Sequence, residues 1–450
     1  MDMRNFAATR LALLLLPLAL FSMLLAIPAR AAVEIQEVVS DKGITAWLVE
    51  DYTVPIVTIR FAFEGGSTQD PAGREGIANL MTGLFDEGAG ELDSDAFQER
   101  LDEVGADMRF NAGRDAIYGS MRMLAEERGA AFELLQLAVD SPRFDQAPVD
   151  RIRSQILTGI LADERDPQSQ GRQEFAKALY GDHPYARRSD GTPDTLKAIT
   201  LDDLHAQHDR LFARSNLHVA VVGAIDAEAL KTELDRVFGN LPEKDGRTPV
   251  NEADLKLDQQ VAYNYPLPQA SLQLVYPGVK RDDPQFFAAY LMNHILGGGT
   301  FSSRLFNEVR EKRGLAYGVG SALHNSDYAS TLVIGTSTRS DRAAETLELI
   351  RAEIRRMAEE GPTPEELAGA KTFVIGAYPI NNLDSSSAIA RTLVELQKDD
   401  LGIDYIDRRA DLINAVTLDE VKAAAQRLLT SEPASLIIGP EAKSEAKEAQ

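Results

Sequence analysis

The sequence predicts an α+β protein of two tandem homologous domains, each a mainly antiparallel sheet covered by helices on one face. Three observations carry that expectation. The chain has 450 residues, 44% of them hydrophobic, which is more than one compact core uses and enough for two. Segments of the first half are echoed in the second, in the same order. Short strands joined by short turns, with the helices gathered together, fit a layered α+β unit.

The echoes are specific. AITLDDLHAQHDRLFARSNLHVAVVGA (198–224) is matched by AVTLDEVKAAAQRLLTSEPASLIIGP (415–440), with Thr200 opposite Thr417 and Gly223 opposite Gly439. FQERLDEVGADMRF (97–110) is matched by FNEVREKRGLAYGV (306–319), where Phe97 pairs with Phe306 and Gly105 with Gly314 at an offset of 209. PVDRIRSQILTGI (148–160) pairs likewise with PEELAGAKTFVIGA (364–377). Three matches in one order indicate a duplicated domain. The stretch NLPEKDGRTPVNEADL (240–255), rich in charge, Pro and Gly, marks the join. The expected organisation is a signal peptide (1–31), a first domain (33–240), a linker (241–255), a second domain (256–440) and a charged tail (441–450).

Within the first domain, ITAWLVE and VPIVTIRFAFEGG have strand character, and helical patterns follow at about 74–88 and 94–104. DAIYGSMRML returns as a strand. Helical periodicity then runs through 124–140, 146–163, 170–180 and 200–213. NLHVAVVG reads as a buried strand and AEALKTELDRVFG as a closing helix stopped by Gly239. In the second domain ASLQLVYPG and STLVIGTST are the clear strands, with long helices over 341–360 and 363–378.

The N-terminus is patterned for export. Arg4 and Arg10 precede the uncharged run LALLLLPLALFSMLLAI, and Ala29-Arg30-Ala31 offers a small-x-small cleavage site. An uncleaved anchor is the alternative, although the apolar run is near the lower limit for crossing a bilayer. The expected compartment is a bacterial-type periplasm, with no membrane contact after cleavage. Loss of three Arg and one Asp with that segment takes the net charge from −23 to −25. Such a charge disfavours nucleic acid, because there is no basic surface to neutralise phosphates. With no cysteine, disulfides, thiolate metal sites and a Cys nucleophile are excluded.

GIANLMTGLFDEGAG (76–90) looks like an amphipathic helix, yet it holds no His, no Cys and no carboxylate pair suited to catalysis. Its significance comes from its surroundings. GDHPYARRSDGTPDTLKAITLDDLHAQHDRLFARSNLHVAVVG and GGGTFSSRLFNEVREKRGLAYGV are similar to the first-half and second-half signatures of the M16 (insulinase, or mitochondrial processing peptidase-like) metallopeptidase family. The resemblance covers nearly all of the chain after residue 31, and it implies M16/LuxS-like metallohydrolase-like halves. Active members carry an inverted zinc motif, HxxEH, on the helix that GIANLMTGLF resembles. Here Asn79 stands at the first His, Thr82 at the general-base Glu and Gly83 at the second His. The third ligand, a Glu in a later helix, is replaced by Gly159 in RSQILTGI.

A catalytic zinc site needs three protein ligands and an open position, and Gly or Thr cannot replace imidazole or carboxylate donors. No metal is therefore expected on this chain. Elsewhere only His205 and His208 are close in sequence, without a third ligand at suitable spacing, and they are assigned a structural role. His183, before Pro184, is assigned to loop packing.

The second-half signature is intact. By resemblance, Arg310 and Tyr317 in REKRGLAY are the family's pair that binds the substrate backbone carbonyl beside the zinc. A guanidinium and a phenol suit an oxygen that gains negative charge. Gly297, Gly298 and Gly299 fall where the family has a flexible substrate-handling loop. A phosphate loop is the weaker alternative, since GGGTFSSR lacks the Lys-Ser/Thr ending and follows no strand.

A blank zinc helix with the Arg/Tyr pair retained resembles one partner of the two-subunit M16B peptidases. The resemblance implies a heterodimer with an HxxEH-containing M16B subunit that carries the zinc, and peptide substrates enclosed between the two chains. A peptide-binding or structural core-like subunit without a role in proteolysis is the alternative. Unrelated chemistry in the same cavity has no constellation to support it, because no Ser-His-Asp spacing is present.

Overall fold

A computed structural model describes residues 33–440. The signal segment (1–31) and the charged tail (441–450) lie outside the described residues. The Val-, Ile- and Phe-rich runs of the first half form β1 (Gln36–Val39), β2 (Thr45–Glu50), β3 (Ile56–Glu64), β4 (Asp107–Ala112), β5 (Ala116–Leu124) and β6 (Leu217–Gly223). They assemble in the order β1-β2-β6-β3-β5-β4. Those of the second half form β7 (Gln260–Asn264), β8 (Gln269–Pro277), β9 (Ala316–Ser326), β10 (Ala329–Arg339) and β11 (Ala434–Gly439), in the order β7-β11-β8-β10-β9. With β1 set aside the two orders coincide. Each sheet has one parallel pair, β2–β6 and β7–β11, and its other pairs are antiparallel. This is the outcome an internal duplication predicts.

The first-half helices are α1 (Ile77–Thr82), α2 (Ser94–Glu103), α3 (Arg128–Asp140), α4 (Gln146–Asp163), α5 (Pro167–Tyr180), α6 (Pro193–Ala198), α7 (Leu201–Leu211) and α8 (Ala227–Phe238). Those of the second half are α9 (Phe286–Asn293), α10 (Ala343–Glu360), α11 (Pro364–Asn382), α12 (Ser386–Lys398), α13 (Tyr405–Ala415) and α14 (Leu418–Leu429). Both echoed threonines start helices. Thr200 caps α7 in a capping box with Asp203, and Thr417 caps α14 in one with Glu420. Each cap satisfies amides that a helix start otherwise leaves open, worth about 1 kcal/mol. Among the described residues no helix is long and apolar enough to cross a membrane.

Both halves belong to one compact unit, and a reciprocal exchange of helices joins them. Alternation along β3 turns Val57, Ile59, Phe61 and Phe63 into the first-half core. The intervening Thr58, Arg60 and Ala62 face the opposite way, where α12 of the second half covers β3 and β6. There Gln397 donates to the Val219 carbonyl at 2.8 Å and accepts from the Val219 amide at 3.3 Å, and Lys398 Nζ donates to the Tyr118 hydroxyl at 3.2 Å. In return, α5 of the first half lies on β7 and β11. Phe175 and Leu179 are buried there with Leu436 and Ile438, and a Cβ on Gly171 would sit 2.7 Å from the Ile438 side chain. The expectation of helices on one face of each sheet is thus corrected: the second face takes a helix from the other half.

Three local differences have simple causes. The helix expected over 74–88 is only α1, because Gly83 closes it and Gly88 and Gly90 adopt positive φ. The helix expected from 124 begins at Arg128, since β5 runs to Leu124. The edge strands β1, β4, β7 and β9 escape the sequence reading because their faces are largely exposed.

Candidate functional site

The chain has two places to consider, the helix of the lost zinc motif and the cleft that holds Arg310 and Tyr317. At the first, Asp70 anchors the start of α1, its carboxylate accepting from Gly76 N at 2.8 Å and Ala78 N at 3.2 Å. Burial pushes the Asp70 carboxyl up to about 7, against the pull of those two amide bonds. Asn79 donates its Nδ2 to Asp190 Oδ1 at 3.2 Å. Thr82 is buried and its hydroxyl bonds back to the Asn79 carbonyl at 3.0 Å. Gly83 abuts α4, where a Cβ would lie 3.0 Å from Ile152 Cγ2. Gly159, also on α4, is exposed, with nothing within 4 Å of a Cβ placed there.

The structure therefore sets α1 against α4, and the four motif positions do not fit a zinc ion. Asn79 and Thr82 are engaged in bonds within the fold, and two glycines offer no donor. Among the described residues there is no group of three or more His, Cys, Asp or Glu able to hold a metal. The histidines serve packing. His208 is buried, bonds the Val139 carbonyl at 2.9 Å and stacks on Phe212, while His205 lies against Phe144. His183 accepts from the Tyr185 amide at 3.1 Å and bonds the Asn251 carbonyl at 2.9 Å.

The second place is open. Arg310 lies in a π turn over Asn307–Glu311, and Tyr317 is the second residue of β9. The structure brings them together: the Arg310 guanidinium carbon is 5.3 Å from the Tyr317 ring centre and 4.7 Å from that of Phe306. Stacking on rings fixes the guanidinium plane while leaving its edge free to donate. Its one carboxylate neighbour is Glu311, at 3.3 Å. Both residues line a cleft of about 900 Å³ that also takes in Gln269, Ser337 and Arg339. Tyr317 is 90% exposed, the largest value among the exposed large hydrophobic residues.

The glycine stretch differs from expectation. Gly297 and Gly298 sit inside a helical π turn over His294–Gly298, and Gly299 caps it. A Cβ on Gly297 would lie 2.6 Å from Ser321 N, so the glycine serves close packing against β9. The expectation of a flexible loop over Gly297, Gly298 and Gly299 is corrected to a packed helix end. What projects is the next turn, Thr300–Ser302, where Thr300 has φ of 46° and Phe301 is 73% exposed. Phe301 stands 6.0 Å from the Arg310 guanidinium and edge-on to Phe306. Sequence reasoning missed it, although a lone aromatic within the small and polar run GGGTFSSR was a usable signal.

Comparison with known proteins gives this geometry its context. Residues 46–192 match the family model for insulinase (peptidase family M16), and residues 198–374 match the model for the peptidase M16 inactive domain. A crystal structure of a peptidase M16 inactive domain from Pseudomonas fluorescens is 30% identical, covers 91% of this chain and 98% of its own, and superposes with a TM-score of 0.85. The chain belongs to the M16 peptidase family. Within it, this protein is an inactive M16-like homologue. It is similar to the non-peptidase homolog YmxG of Helicobacter pylori, 27% identical over 345 residues, 76% of this chain and 79% of that one. It is also similar to an uncharacterized zinc protease of Rickettsia felis, 25% identical over 88% of this chain and 96% of that one. The periplasmic protease PqqL of Escherichia coli shares the fold, with a TM-score of 0.76 at 17% identity. That match spans 91% of this M16 chain and 46% of PqqL.

Proposed function

We propose that this chain is the zinc-less subunit of a periplasmic heterodimeric M16B peptidase, supplying the Arg310/Tyr317 pair and half of a peptide-enclosing cavity. The observation that carries this is the contrast between the two places. The zinc positions are occupied by residues that cannot ligate, while Arg310 and Tyr317 stay together at an open cleft. A guanidinium edge and a phenol hydroxyl can both donate to one carbonyl oxygen, and that interaction strengthens as the oxygen becomes an anion. The hydrolytic centre then belongs to an HxxEH-bearing partner, and this chain binds and orients the peptide backbone.

The name of the Helicobacter relative, a non-peptidase homolog, favours a second reading, in which the chain binds peptides or supports an assembly without a part in proteolysis. One experiment separates them. Zinc content and peptide cleavage are measured for the chain from Ala32 onward, alone and mixed with any HxxEH-bearing homologue encoded in the same genome. The proposal expects neither zinc nor cleavage alone, and cleavage on mixing. Cleavage that never appears on mixing leaves the binding role, and stoichiometric zinc on the lone chain overturns both readings.

A further inference from the structure

A second cavity, of about 320 Å³, lies in the second half among α9, α11, α12 and α13, and shares no lining residue with the Arg310 cleft. Its floor is unusual. Arg409 on α13 is 7% exposed, stacks on the face of Tyr378 with its guanidinium carbon 4.1 Å from the ring centre, and donates Nη1 to the Val374 carbonyl at 3.1 Å. Among the described residues no carboxylate lies within 4.0 Å of it. Arg391, exposed at the cavity, has no such partner either. Arg281 stacks 4.0 Å from the Phe286 ring centre and donates to the Tyr405 hydroxyl, and its nearest carboxylate, Asp399, is 3.8 Å away.

A guanidinium taken out of water without a counter-ion is costly, and stacking on a ring returns only about 2 kcal/mol. Arg409 and Arg281 both line the cavity, where their remaining donors are open to an anion, and Arg is the side chain whose fork matches a carboxylate. Between them Phe286, Tyr290, Tyr378 and Tyr405 present aromatic surface to the same space. Burial pushes the Tyr378 hydroxyl up to about 12, so it remains a hydrogen-bond donor throughout the physiological range. Glu395 and Asp399 also line the cavity and oppose a ligand with several negative charges. The volume is at the small end of ligand sites, which run from about 300 to 1,000 Å³, and suits one aromatic amino-acid-sized body.

We infer that this cavity binds an aromatic monocarboxylate, free or at the C-terminus of a peptide, with its carboxylate on Arg409 and Arg281 and its ring among the tyrosines. The inference is independent of the peptidase-subunit proposal. It is tested by calorimetric titration of the chain from Ala32 onward with N-acetylphenylalanine, its amide, and the tripeptide Gly-Gly-Phe. The acid is expected to bind at least about tenfold more tightly than the amide, and Arg409→Gln to remove about tenfold of that affinity. If Arg409→Gln does not fold, Arg281→Gln serves, lowering affinity for the acid and leaving that for the amide unchanged. Equal affinity of the tripeptide and the acid identifies a peptide terminus as the ligand, and binding of the acid alone identifies a free carboxylate. Equal affinity of acid and amide, or no binding of either at about 10 mM, overturns the inference.

Discussion

The two halves share a strand order, but at matched positions they put opposite kinds of side chain. At the offset of 209 that pairs Phe97 with Phe306, Leu101 stands opposite Arg310, Met108 opposite Tyr317 and Leu92 opposite Phe301. Leu101 and Met108 are buried in the first-half core, and Leu92 packs against it. Of their counterparts, Arg310 and Tyr317 line the cleft and Phe301 is exposed to solvent. The helix explains the switch. In α2 the core positions are Phe97, Leu101 and Val104, a regular α-helical spacing. In the second half the buried positions are Leu305, Phe306 and Val309, and the backbone then widens into a π turn in which Lys312 N bonds Asn307 O. Core contact thus moves one residue earlier, and Arg310 is released to the surface. Such π turns recur at functional sites because they re-aim side chains without changing the strand that follows. The duplication supplied a scaffold, and the chemistry of each half depends on which face of one short helix is turned inward.

That contrast can be broken most directly by exchanging residues across the repeat. Leu101→Arg places a charge in the buried apolar core of the first half, and is expected to cost about 3–5 kcal/mol in chemical denaturation. The reverse exchange, Arg310→Leu, is expected to change stability by less than about 1 kcal/mol, because the side chain it removes is partly solvated. Similar costs for the two variants would show that Arg310 is a structural residue like its counterpart.

The next effect is on activity. In the mixed complex, Tyr317→Phe keeps the ring that stacks on Arg310 and removes only the donor hydroxyl. A loss of about 10²-fold in kcat/KM with an unchanged melting temperature is expected, and Arg310→Ala should lose about 10²–10³-fold. Full activity in both variants would leave the pair as a remnant and favour the non-proteolytic reading.

Buried carboxyls divide the halves more gently. Burial pushes Asp70 up to about 7 in the first half and Asp327 up to about 6 in the second. A folded value above the ordinary 3.8 means the native state holds that proton more tightly, so stability grows as pH falls from about 7 towards 4. Glu64 behaves oppositely. Its hydrogen bond with His218, together with Arg247, holds it at about 2, so its contribution is present above 4.5 and is lost as pH falls towards 2. Maximum stability is therefore expected between about pH 4.5 and 6. Asp70→Asn should flatten the rise between pH 8 and 6 more than Asp327→Asn does, since Asp70 titrates higher. Melting temperatures across pH for the two variants check this, and an unchanged slope for Asp70→Asn would show that its amide bonds at α1 keep it charged.

Much of this was legible in the residues themselves. The repeat stands out at Thr200 and Thr417 because a capping box constrains both the cap and the residue three positions on. That Asn79, Thr82, Gly83 and Gly159 carry no imidazole or carboxylate needs only their identities. The exchange of α5 and α12 was hidden, because an apolar helix face reads the same whether it covers its own sheet or the other half's. The π turn was hidden too, since REKRGLAY carries no mark of a widened turn beyond Gly314. Gly297, Gly298 and Gly299 misled because glycine serves close packing as readily as mobility.

The smallest effect offers the sharpest discrimination. Phe301 touches Phe306 edge-on and is otherwise exposed, whereas its counterpart Leu92 packs on the core. Phe301→Ala should therefore leave stability within about 0.5 kcal/mol, while Leu92→Ala should cost more, on the order of 1–2 kcal/mol. In the mixed complex Phe301→Ala is expected to raise KM by about fivefold with kcat nearly unchanged, because an apolar contact made equally in ground and transition states affects binding alone. A fall in kcat of the size expected for Arg310→Ala would instead mean that the ring holds the guanidinium in place across their 6.0 Å separation. No change in either parameter would confine the working cleft to Arg310 and Tyr317, and would leave the exposure of Phe301 as a consequence of the Thr300 turn.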